Sequence, residues 1–299
     1  TTKRGISREI KIPINVGILC GRAFGNPKDP PVLCLHGWQD NCNTFEKLIP
    51  LLPKNHYYVA MDMIGHGHSV GLPSEMMYDL RNYIAMIHGM AKYMGWKSFT
   101  ALGHSLGGCI LICFAAVFPE MIEKLILIES RIFWYPLSQA IKMLRSRVEN
   151  VLQTNEKSSD RLYTYPEIKS RLQAFNKAID DEAADILLER GISKEKDGKY
   201  KVRRDKRIAK LPHFISEEMA VLCIKKLKAP TYHLLAVNGF KNSHNLLEND
   251  KHLGLSDKPN HVYIEVKGNH FAHLSEPQGV ADVVTSFIQH CTTILLQYL

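Results

Sequence analysis

Apolar positions follow two kinds of pattern along the chain. Residues 8–25 alternate between apolar and polar, with Ile10, Ile12, Ile14, Val16 and Ile18 at every second position, which predicts a strand pair. Short, mainly apolar runs, typical of strands buried on both faces, lie at 32–35, 57–63, 98–103 and 124–129. Helical spacing occurs between them, at 44–52, 77–94 and 106–118. This alternation predicts an α/β fold with a mostly parallel, doubly wound sheet.

The alternation stops after residue 130 and resumes near residue 216. Residues 131–215 are charge-rich and mostly helical in pattern, and we interpret them as an inserted helical lid. The pattern then predicts a helix at 216–228, a strand at 231–237, a helix within 239–254, a strand at 261–266 and a terminal helix at 276–298. The expected domains are therefore a core of residues 1–130 and 216–299 and a lid of residues 131–215.

Composition is that of a globular protein. Of 299 residues, 45% are hydrophobic and 23% are charged. No apolar run approaches the roughly 20 residues that a membrane helix needs, so we expect no integral membrane segment. The first residues lack an apolar stretch, so no signal peptide is expected. Seven cysteines, odd in number and scattered, favour reduced thiols and an intracellular compartment.

The formal net charge is +8, and much of the excess lies in residues 199–210. A basic stretch can bind nucleic acid or a membrane surface, or it can be a solvated face. This one lacks interleaved aromatic residues, and no nucleic-acid motif accompanies it. We therefore expect a solvated face of the lid and no nucleic-acid partner.

The strand at 98–103 leads into Gly103-His104-Ser105-Leu106-Gly107, and an apolar helix follows. This is the G-x-S-x-G pattern in the strand–turn–helix context of a nucleophile elbow. A strained turn would project the Ser105 oxygen beyond the sheet, and side chains at positions 103 and 107 would collide there. At the helix N-terminus, the Leu106 N–H can face a developing negative charge.

An activated serine needs a base, and the base needs an orienting acceptor. The loop after the last strand contains His270 and His273. The chain order serine, acid, histidine puts the base in this loop. His270 directly follows a Gly-Asn turn and is our choice, whereas His273 is expected to pack or to form a local hydrogen bond.

Four blocks carry a family resemblance: HGWQDN at 36–41, DMIGHGHS at 62–69, GHSLG at 103–107 and GNHFAHLSEP at 268–277. The chain resembles the α/β-hydrolase superfamily and, more narrowly, the eukaryotic serine hydrolase-like proteins. The resemblance implies that Trp38, the residue after His-Gly, gives a second N–H to an oxyanion hole with Leu106. It also implies that the loop residues His36, Gly37, Asp62, Gly103, His104 and Gly107 shape the pocket.

The chain differs from the superfamily pattern at the usual position of the triad acid. The superfamily's usual aspartate position, after the strand at 231–237, holds Asn242. Haloalkane dehalogenases of the superfamily use a glutamate after the earlier strand, which corresponds to Glu129. The alternatives are Glu248 or Asp250, or an incomplete triad. An unpaired glutamate at the end of a buried strand is costly, and this favours Glu129.

Serine rather than aspartate at position 105 argues for acyl transfer to water. We expect a serine hydrolase, carboxylesterase-like, acting on esters, thioesters or related acyl bonds of a small-molecule substrate without a metal or organic cofactor. The alternative is a catalytically weak or inactive member that binds a small molecule or a partner; a luciferase- or oxygenase-like activity is a third possibility. The resemblance suggests the cytoplasm or peroxisome, although Gln297-Tyr298-Leu299 lacks the small and basic residues of a peroxisomal signal.

Overall fold

The computed structural model describes residues 7–156, 161–209, 215–239 and 246–289. In chain order the strands are β1 (Arg8–Ile14), β2 (Gly17–Phe24), β3 (Pro31–Leu35), β4 (Tyr57–Met61), β5 (Phe99–His104), β6 (Ile122–Ile128), β7 (Trp134–Tyr135), β8 (Ile192–Lys194), β9 (Tyr200–Val202), β10 (Ile215–Ser216), β11 (Thr231–Asn238) and β12 (His261–Asn269). The helices are α1 (Leu80–Met94), α2 (Leu106–Val117), α3 (Ala140–Glu156), α4 (Tyr165–Phe175), α5 (Asp181–Gly191), α6 (Glu217–Lys226), α7 (Leu246–His252), α8 (Ala272–Ser275) and α9 (Pro277–Gln289).

The main sheet of the described residues has eight strands in the order β1-β2-β4-β3-β5-β6-β11-β12. The pairs β1–β2 and β2–β4 are antiparallel, and the other neighbours are parallel. The predicted α/β fold with a mostly parallel sheet is therefore confirmed. Because parallel strands present their carboxyl ends at one edge, the residues after β3, β4, β5 and β6 meet there.

Apolar side chains cover both faces of this sheet. Alternate residues of β3 and β4 belong to two hydrophobic clusters: Leu33 and Val59 face α1 and α2, and Val32 and Tyr58 face α9. The central strands β3 to β6 are almost wholly buried for this reason. This agrees with the mainly apolar runs in the sequence.

The helix predicted at 44–52 is wrong. Two short 3-10 turns, Cys42–Phe45 and Ile49–Leu51, occupy this stretch. Pro50 lacks an N–H, and it disfavours helical backbone at the residue before it, so one continuous α-helix cannot form. The terminal helix begins as predicted and is described up to Gln289; the rest of the predicted range lies outside the described residues.

The inserted segment (residues 131–215) contains α3, α4 and α5, and also a strand pair that its helical pattern did not predict. Strands β8 and β9 form an antiparallel hairpin, with Ile192 opposite Val202. Strand β10 pairs with β7, so the two ends of the segment lie side by side. Within the described residues, none of the helices combines the length and the apolarity that crossing a bilayer requires.

The basic stretch is a solvated face only in part, which corrects our expectation: Lys199, Arg203 and Lys206 are exposed, but Arg207 is held against the core. Residues 203–209, which we call the strap, lie across the core. The Arg207 guanidinium donates to the Leu72, Pro73 and Met76 carbonyl oxygens and pairs with Asp205. Trp38 Nε1 donates to the Ile208 carbonyl oxygen at 2.8 Å. Guanidinium groups carry five donors, so a basic sequence can bind main-chain carbonyls as readily as solvent.

Candidate active site

Ser105 lies at the sharp turn between β5 and α2. Its backbone has φ 50° and ψ −115°, a region that residues with side chains rarely adopt. Its N–H donates to the Ile128 carbonyl oxygen at 3.0 Å, which ties the turn to the neighbouring strand. The predicted strand–turn–helix context of the serine is therefore confirmed.

Close backbone packing explains the glycines on either side of Ser105. A Cβ atom at position 103 would lie 2.5 Å from the Gly108 Cα, and one at position 107 would lie 2.3 Å from the Leu35 carbonyl oxygen. Gly37 is also restricted, because its Cβ atom would lie 2.9 Å from His104 Nδ1. The sequence-based expectation that positions 103 and 107 need glycine is confirmed.

Ser130 supports the turn, and our sequence analysis assigned it no role. Its hydroxyl donates to the Ser105 carbonyl oxygen at 2.9 Å. It also requires glycine at position 108, where a Cβ atom would lie 2.0 Å from Ser130 Oγ. A serine directly after the buried glutamate was the only signal in the sequence.

Glu129 is completely buried at the end of β6. Its backbone also has a positive φ, 49°, and its N–H donates to the Leu234 carbonyl oxygen. One carboxylate oxygen, Oε1, accepts the Ala236 N–H at 2.6 Å. A second strained residue at the carboxyl edge of the sheet therefore has its side chain directed by the main chain of β11.

Gly239 provides the space that the Glu129 carboxylate occupies. A Cβ atom at position 239 would lie 2.1 Å from Glu129 Oε2. Gly239 begins the loop in which the superfamily's usual acid is expected. The side chain of Glu129 thus reaches the neighbourhood of that loop from the adjacent strand.

His270 follows β12 and contacts this carboxylate. Its Nδ1 lies 3.2 Å from Glu129 Oε2, and the histidine side chain is 22% exposed. An ionised carboxylate only accepts hydrogen bonds, so the proton of a neutral His270 belongs on Nδ1 and the lone pair on Nε2. This is the tautomer that a general base for a serine requires.

His104 and His273 pack behind His270. His104 Nε2 donates to the His270 carbonyl oxygen at 2.9 Å, and the two rings are 4.7 Å apart. His273 is buried and hydrogen-bonds to the Thr44 hydroxyl, as expected of a local structural role. Burial lowers the pKa of His273 to about 3 and that of His104 well below its usual value, so both rings are neutral at pH 7.

The candidate oxyanion donors are on two different loops. Leu106 is the first residue of α2, and N–H groups in a first helical turn have no carbonyl partner within the helix. Trp38 follows β3 after Gly37, and the next residue, Gln39, has a positive φ of 62°. The two loops are in contact, because the position 37 Cβ atom would lie 3.3 Å from the Ser105 Cβ.

The predicted loop-shaping residues His36 and Asp62 are fully buried. His36 Nδ1 donates to the Gly37 carbonyl oxygen, and Nε2 accepts the Met63 N–H at 3.0 Å. Burial lowers the pKa of His36 to about 4, so it bridges the two loops as a neutral ring. Asp62 accepts the Cys42 and His68 N–H groups at 2.9 and 2.7 Å.

Comparison with known proteins identifies the family. The sequence model of the family described as "alpha/beta hydrolase fold" matches residues 30–277. The chain belongs to the α/β-hydrolase fold family. It is 36% identical to serine hydrolase-like protein 2 of Homo sapiens, over 97% of this chain and 96% of the human protein. It is 35% identical to the serine hydrolase-like protein of Mus musculus, over 95% and 96% of the two chains.

A solved structure gives the same result for the fold. A hypothetical protein of Pseudomonas aeruginosa PAO1 superposes with a TM-score of 0.84 and 28% identity, covering 96% of this chain and 100% of the other. Both the sequence and the backbone therefore assign this chain to the α/β-hydrolase fold, and its curated relatives bear serine hydrolase-like names.

Arg190 joins the inserted segment of this α/β-hydrolase-fold protein to its core. The side chain is 4% exposed, and its Nε donates to Asp62 Oδ2 at 2.6 Å. Its two terminal nitrogens each donate to a Glu9 carboxylate oxygen at 2.8 Å. The amides of Asn41 and Asn43 donate to the Leu187 and Ile186 carbonyl oxygens of α5. Sequence analysis missed these anchors, because their partners are about 130 or more positions apart.

The other candidate acids stand apart from His270. Asp250 is buried and accepts the Tyr263 hydroxyl at 2.9 Å, and burial raises its pKa to about 7. Glu248 is exposed on α7. Asn242 lies outside the described residues. Of the acids considered in the sequence, Glu129 is the one that the structure brings into contact with His270.

A cavity of about 220 Å³ lies between the core loop at 38–41 and helices α4 and α5. Trp38, the candidate oxyanion donor, and Phe271, the neighbour of His270, line it, whereas Ser105 and His270 do not, so the cavity lies beside the candidate triad. Apolar walls come from Ile168, Leu172 and Phe175, with Phe175 packed 5.7 Å from the Trp38 ring. Among the described residues, no group of three or more His, Cys, Asp or Glu side chains has metal-site geometry.

Proposed function

We propose that this protein is a serine hydrolase that cleaves a carboxylic ester, thioester or related acyl bond through Ser105, His270 and Glu129. The contact between Glu129 Oε2 and His270 Nδ1, at the same sheet edge as the strained Ser105, carries the proposal. The serine hydrolase-like names of the relatives support the same class of activity.

In the proposed first step, Ser105 Oγ attacks the substrate carbonyl carbon and its proton passes to His270 Nε2. The carbonyl oxygen becomes an oxyanion, which the Trp38 and Leu106 N–H groups stabilise by about 3 kcal/mol each. Glu129 offsets the charge of the imidazolium. Collapse of the intermediate breaks the carbonyl–heteroatom bond, and His270 gives its proton to the leaving group. The product of this step is an acyl ester on Ser105.

Water completes the proposed cycle. His270 Nε2 takes a proton from water as the water oxygen attacks the acyl carbon. A second oxyanion forms in the same position, and its collapse returns the proton to Ser105 and releases a carboxylic acid. One ester bond and one water are consumed, and the enzyme is regenerated without an external co-reactant.

We further propose that residues 1–130 and 216–299 form the catalytic core and residues 131–215 a lid that excludes water and selects the substrate. The cavity supports this assignment, since helices α4 and α5 of the inserted segment form one wall and the core loop at 38–41 the other. Cytoplasmic or peroxisomal residence, expected from the resemblance, stays a prediction that a fluorescent fusion protein can test.

Covalent labelling tests the proposal. A fluorophosphonate reacts with an activated serine and forms a stable bond to its oxygen. We expect labelling of the folded wild-type chain and none of the Ser105→Ala variant. Ser256→Ala is the matched control, because Ser256 is an exposed serine outside the Ser105 turn and we expect Ser105 to label in its absence. No labelling of folded wild-type protein would favour the alternative function, a non-catalytic binding protein.

A further inference from the structure

Two arginines line the cavity on the side of the inserted segment. Arg171 comes from α4 and Arg204 from the strap. Tyr163 lies beside them, with the Arg171 guanidinium carbon 5.1 Å from the centre of its ring. The walls between these arginines and Trp38 are mostly apolar. The cavity therefore has a cationic end and an apolar body.

No carboxylate within the described ranges forms an ion pair with either of these arginines. Burial lowers the pKa of Arg204, and the positive charge of the nearby Arg171 lowers it further. A guanidinium nevertheless stays charged at neutral pH. Arg204 is partly buried whereas Arg171 is exposed, so the charge that most needs a compensating anion is that of Arg204.

Other buried arginines of the same region are paired, which makes Arg204 distinctive. Arg207, three positions along the strap, binds Asp205, and Arg190 binds both Asp62 and Glu9. Their donors are used within the protein. Arg204 instead lines the cavity without a carboxylate partner among the described residues, and one guanidinium can donate two parallel hydrogen bonds to a planar oxyanion.

One acidic residue, Asp40, also lines the cavity, and its carboxylate could compensate the charge of the arginines. Asp40 lies beside Trp38 on the core loop, and its Oδ1 accepts the Asn41 N–H at 2.8 Å. Burial raises the pKa of Asp40 to about 7, so a substantial fraction of this carboxyl is protonated at neutral pH. Among the described residues Asp40 forms no ion pair with Arg204 or Arg171, and its hydrogen bond with the Asn41 N–H is made within the core loop.

We propose that the substrate is an acyl compound whose end remote from the reacting carbonyl carries an oxyanion, and that Arg204 and Arg171 bind this group. The inference rests on the proposed serine hydrolase function. Ser105 does not itself line the cavity, so in this arrangement the reacting carbonyl extends past Trp38 and Phe271 toward it, the apolar chain contacts the Phe175 region, and the oxyanion reaches the two guanidinium groups. Carboxylate and phosphate share this chemistry.

Matched esters test the proposal by kinetics. The mono-4-nitrophenyl ester of suberic acid carries a terminal carboxylate, and its methyl-capped diester is the neutral counterpart. A third ester carries a terminal phosphate on a chain of the same length. We expect the wild-type protein to favour at least one anionic ester over the neutral one by about tenfold or more in kcat/KM, as charge-assisted hydrogen bonds allow.

Variants connect this preference to Arg204. Arg204→Met keeps the unbranched apolar stem of the side chain and removes its charge, so the ratio of the two kcat/KM values should fall at least several-fold. Lys199→Met is the matched control: it removes one positive charge from the same basic stretch, but the side chain is exposed and does not line the cavity. It should keep the wild-type ratio. Equal preference in wild-type and Arg204→Met protein would overturn the proposal.

Binding separates this inference from the proposed function. The Ser105→Ala variant is titrated calorimetrically with monomethyl suberate and with dimethyl suberate. Binding of the anionic ester alone, lost when Arg204→Met is added, supports the cationic site even if no ester is hydrolysed. Hydrolysis of all three esters at equal efficiency, together with equal binding of the two suberates, overturns the inference and leaves the serine hydrolase function intact.

Discussion

The carboxyl edge of the sheet and the inserted segment are held in place by different kinds of contact. At the sheet edge, Ser105 and Glu129 have positive φ values, and main-chain N–H groups of Ser105, Glu129 and Ala236 form the bonds that hold them. In the inserted segment, long side chains such as Arg190 and Arg207 reach across to the core.

The backbone contacts hold the residues of the proposed reaction, and the side-chain contacts hold the segment proposed to select the substrate. Backbone contacts tolerate few residue types, so the reacting edge depends on glycines at positions 103, 107 and 239. Side-chain contacts across long sequence distances can be replaced in many ways. The proposed reaction is therefore set by local geometry, whereas the cavity above it is set by residues that follow no local motif.

The largest expected effect is on the acid. Glu129→Gln keeps the size of the side chain but cannot neutralise the imidazolium of His270, so kcat for a 4-nitrophenyl ester should fall about 10³- to 10⁴-fold. Glu248→Gln, on exposed α7, should change kcat little. Steady-state kinetics on both variants makes the comparison. Loss of activity in Asn242→Ala with Glu129→Gln unaffected would contradict the assignment of Glu129.

Among the contacts between the inserted segment and the core, those of Arg190 should contribute most to the free energy of unfolding. Arg190→Met leaves the fully buried Asp62 carboxylate without its cationic partner, and the free energy of unfolding should fall by about 3 kcal/mol. Lys47→Met removes another core-to-segment pair, but its partner Glu182 is 63% exposed, so the loss should stay below about 1 kcal/mol. Urea unfolding at pH 7 measures both. Equal losses would contradict the special role of Arg190.

A decrease in pH should lower the stability of the folded protein through the buried histidine His273, which packs against His104. Burial lowers the pKa of His273 to about 3, so the unfolded chain takes up a proton first as the pH falls below about 6.5. The contribution of His273 to stability is complete above that pH and decreases toward its folded pKa. Between pH 7 and pH 5 the loss from this one residue is about 2 kcal/mol.

Comparison of wild-type protein with His273→Asn isolates this contribution. Asp40 and Asp250, whose pKa values burial raises to about 7, act in the opposite direction, and they are present in both proteins. The decrease in the free energy of unfolding between pH 7 and pH 5 should be smaller in the variant. A decrease as large as that of the wild type means that His273 is not buried as a neutral ring.

The smallest expected effect comes from adding a single methyl group at Gly239, beside the Glu129 carboxylate. Gly239→Ala places a Cβ atom 2.1 Å from Glu129 Oε2, so the carboxylate must move away from His270. We expect kcat/KM to fall about tenfold or more, because small displacements of catalytic groups are costly. Gly279→Ala on α9 meets no atom within 4 Å and serves as the control. Unchanged kinetics in Gly239→Ala would show that the carboxylate position is tolerant.

The sequence predicted most of the core, because each piece has a local physical signal. Mainly apolar runs predicted the buried strands, and the glycines around Ser105 predicted the turn. The helix at 44–52 failed because its apolar spacing was read without the effect of Pro50. The basic stretch is a solvated face only in part, and nothing local indicates that Arg207 meets the carbonyl oxygens of residues 72–76.

The candidate site likewise contains residues that local sequence signals predict and residues that they do not. Ser105 and His270 could be predicted from motif and chain order, and Glu129 from a charged residue that ends a buried strand. Gly239, Ser130 and Arg190 were missed because their roles depend on which elements become neighbours. Arg204 belongs to the same class: only the folded chain brings it to the cavity.

The central claim is that Ser105 forms an acyl-enzyme with help from His270 and Glu129. Rapid acid quench after mixing with excess 4-nitrophenyl ester, followed by intact and peptide mass measurement, detects this species directly. The account predicts the added mass of one acyl group on the peptide that contains Ser105, and none in Ser105→Ala. Ester hydrolysis with the acyl group on another residue, or undiminished hydrolysis by Ser105→Ala, would contradict it.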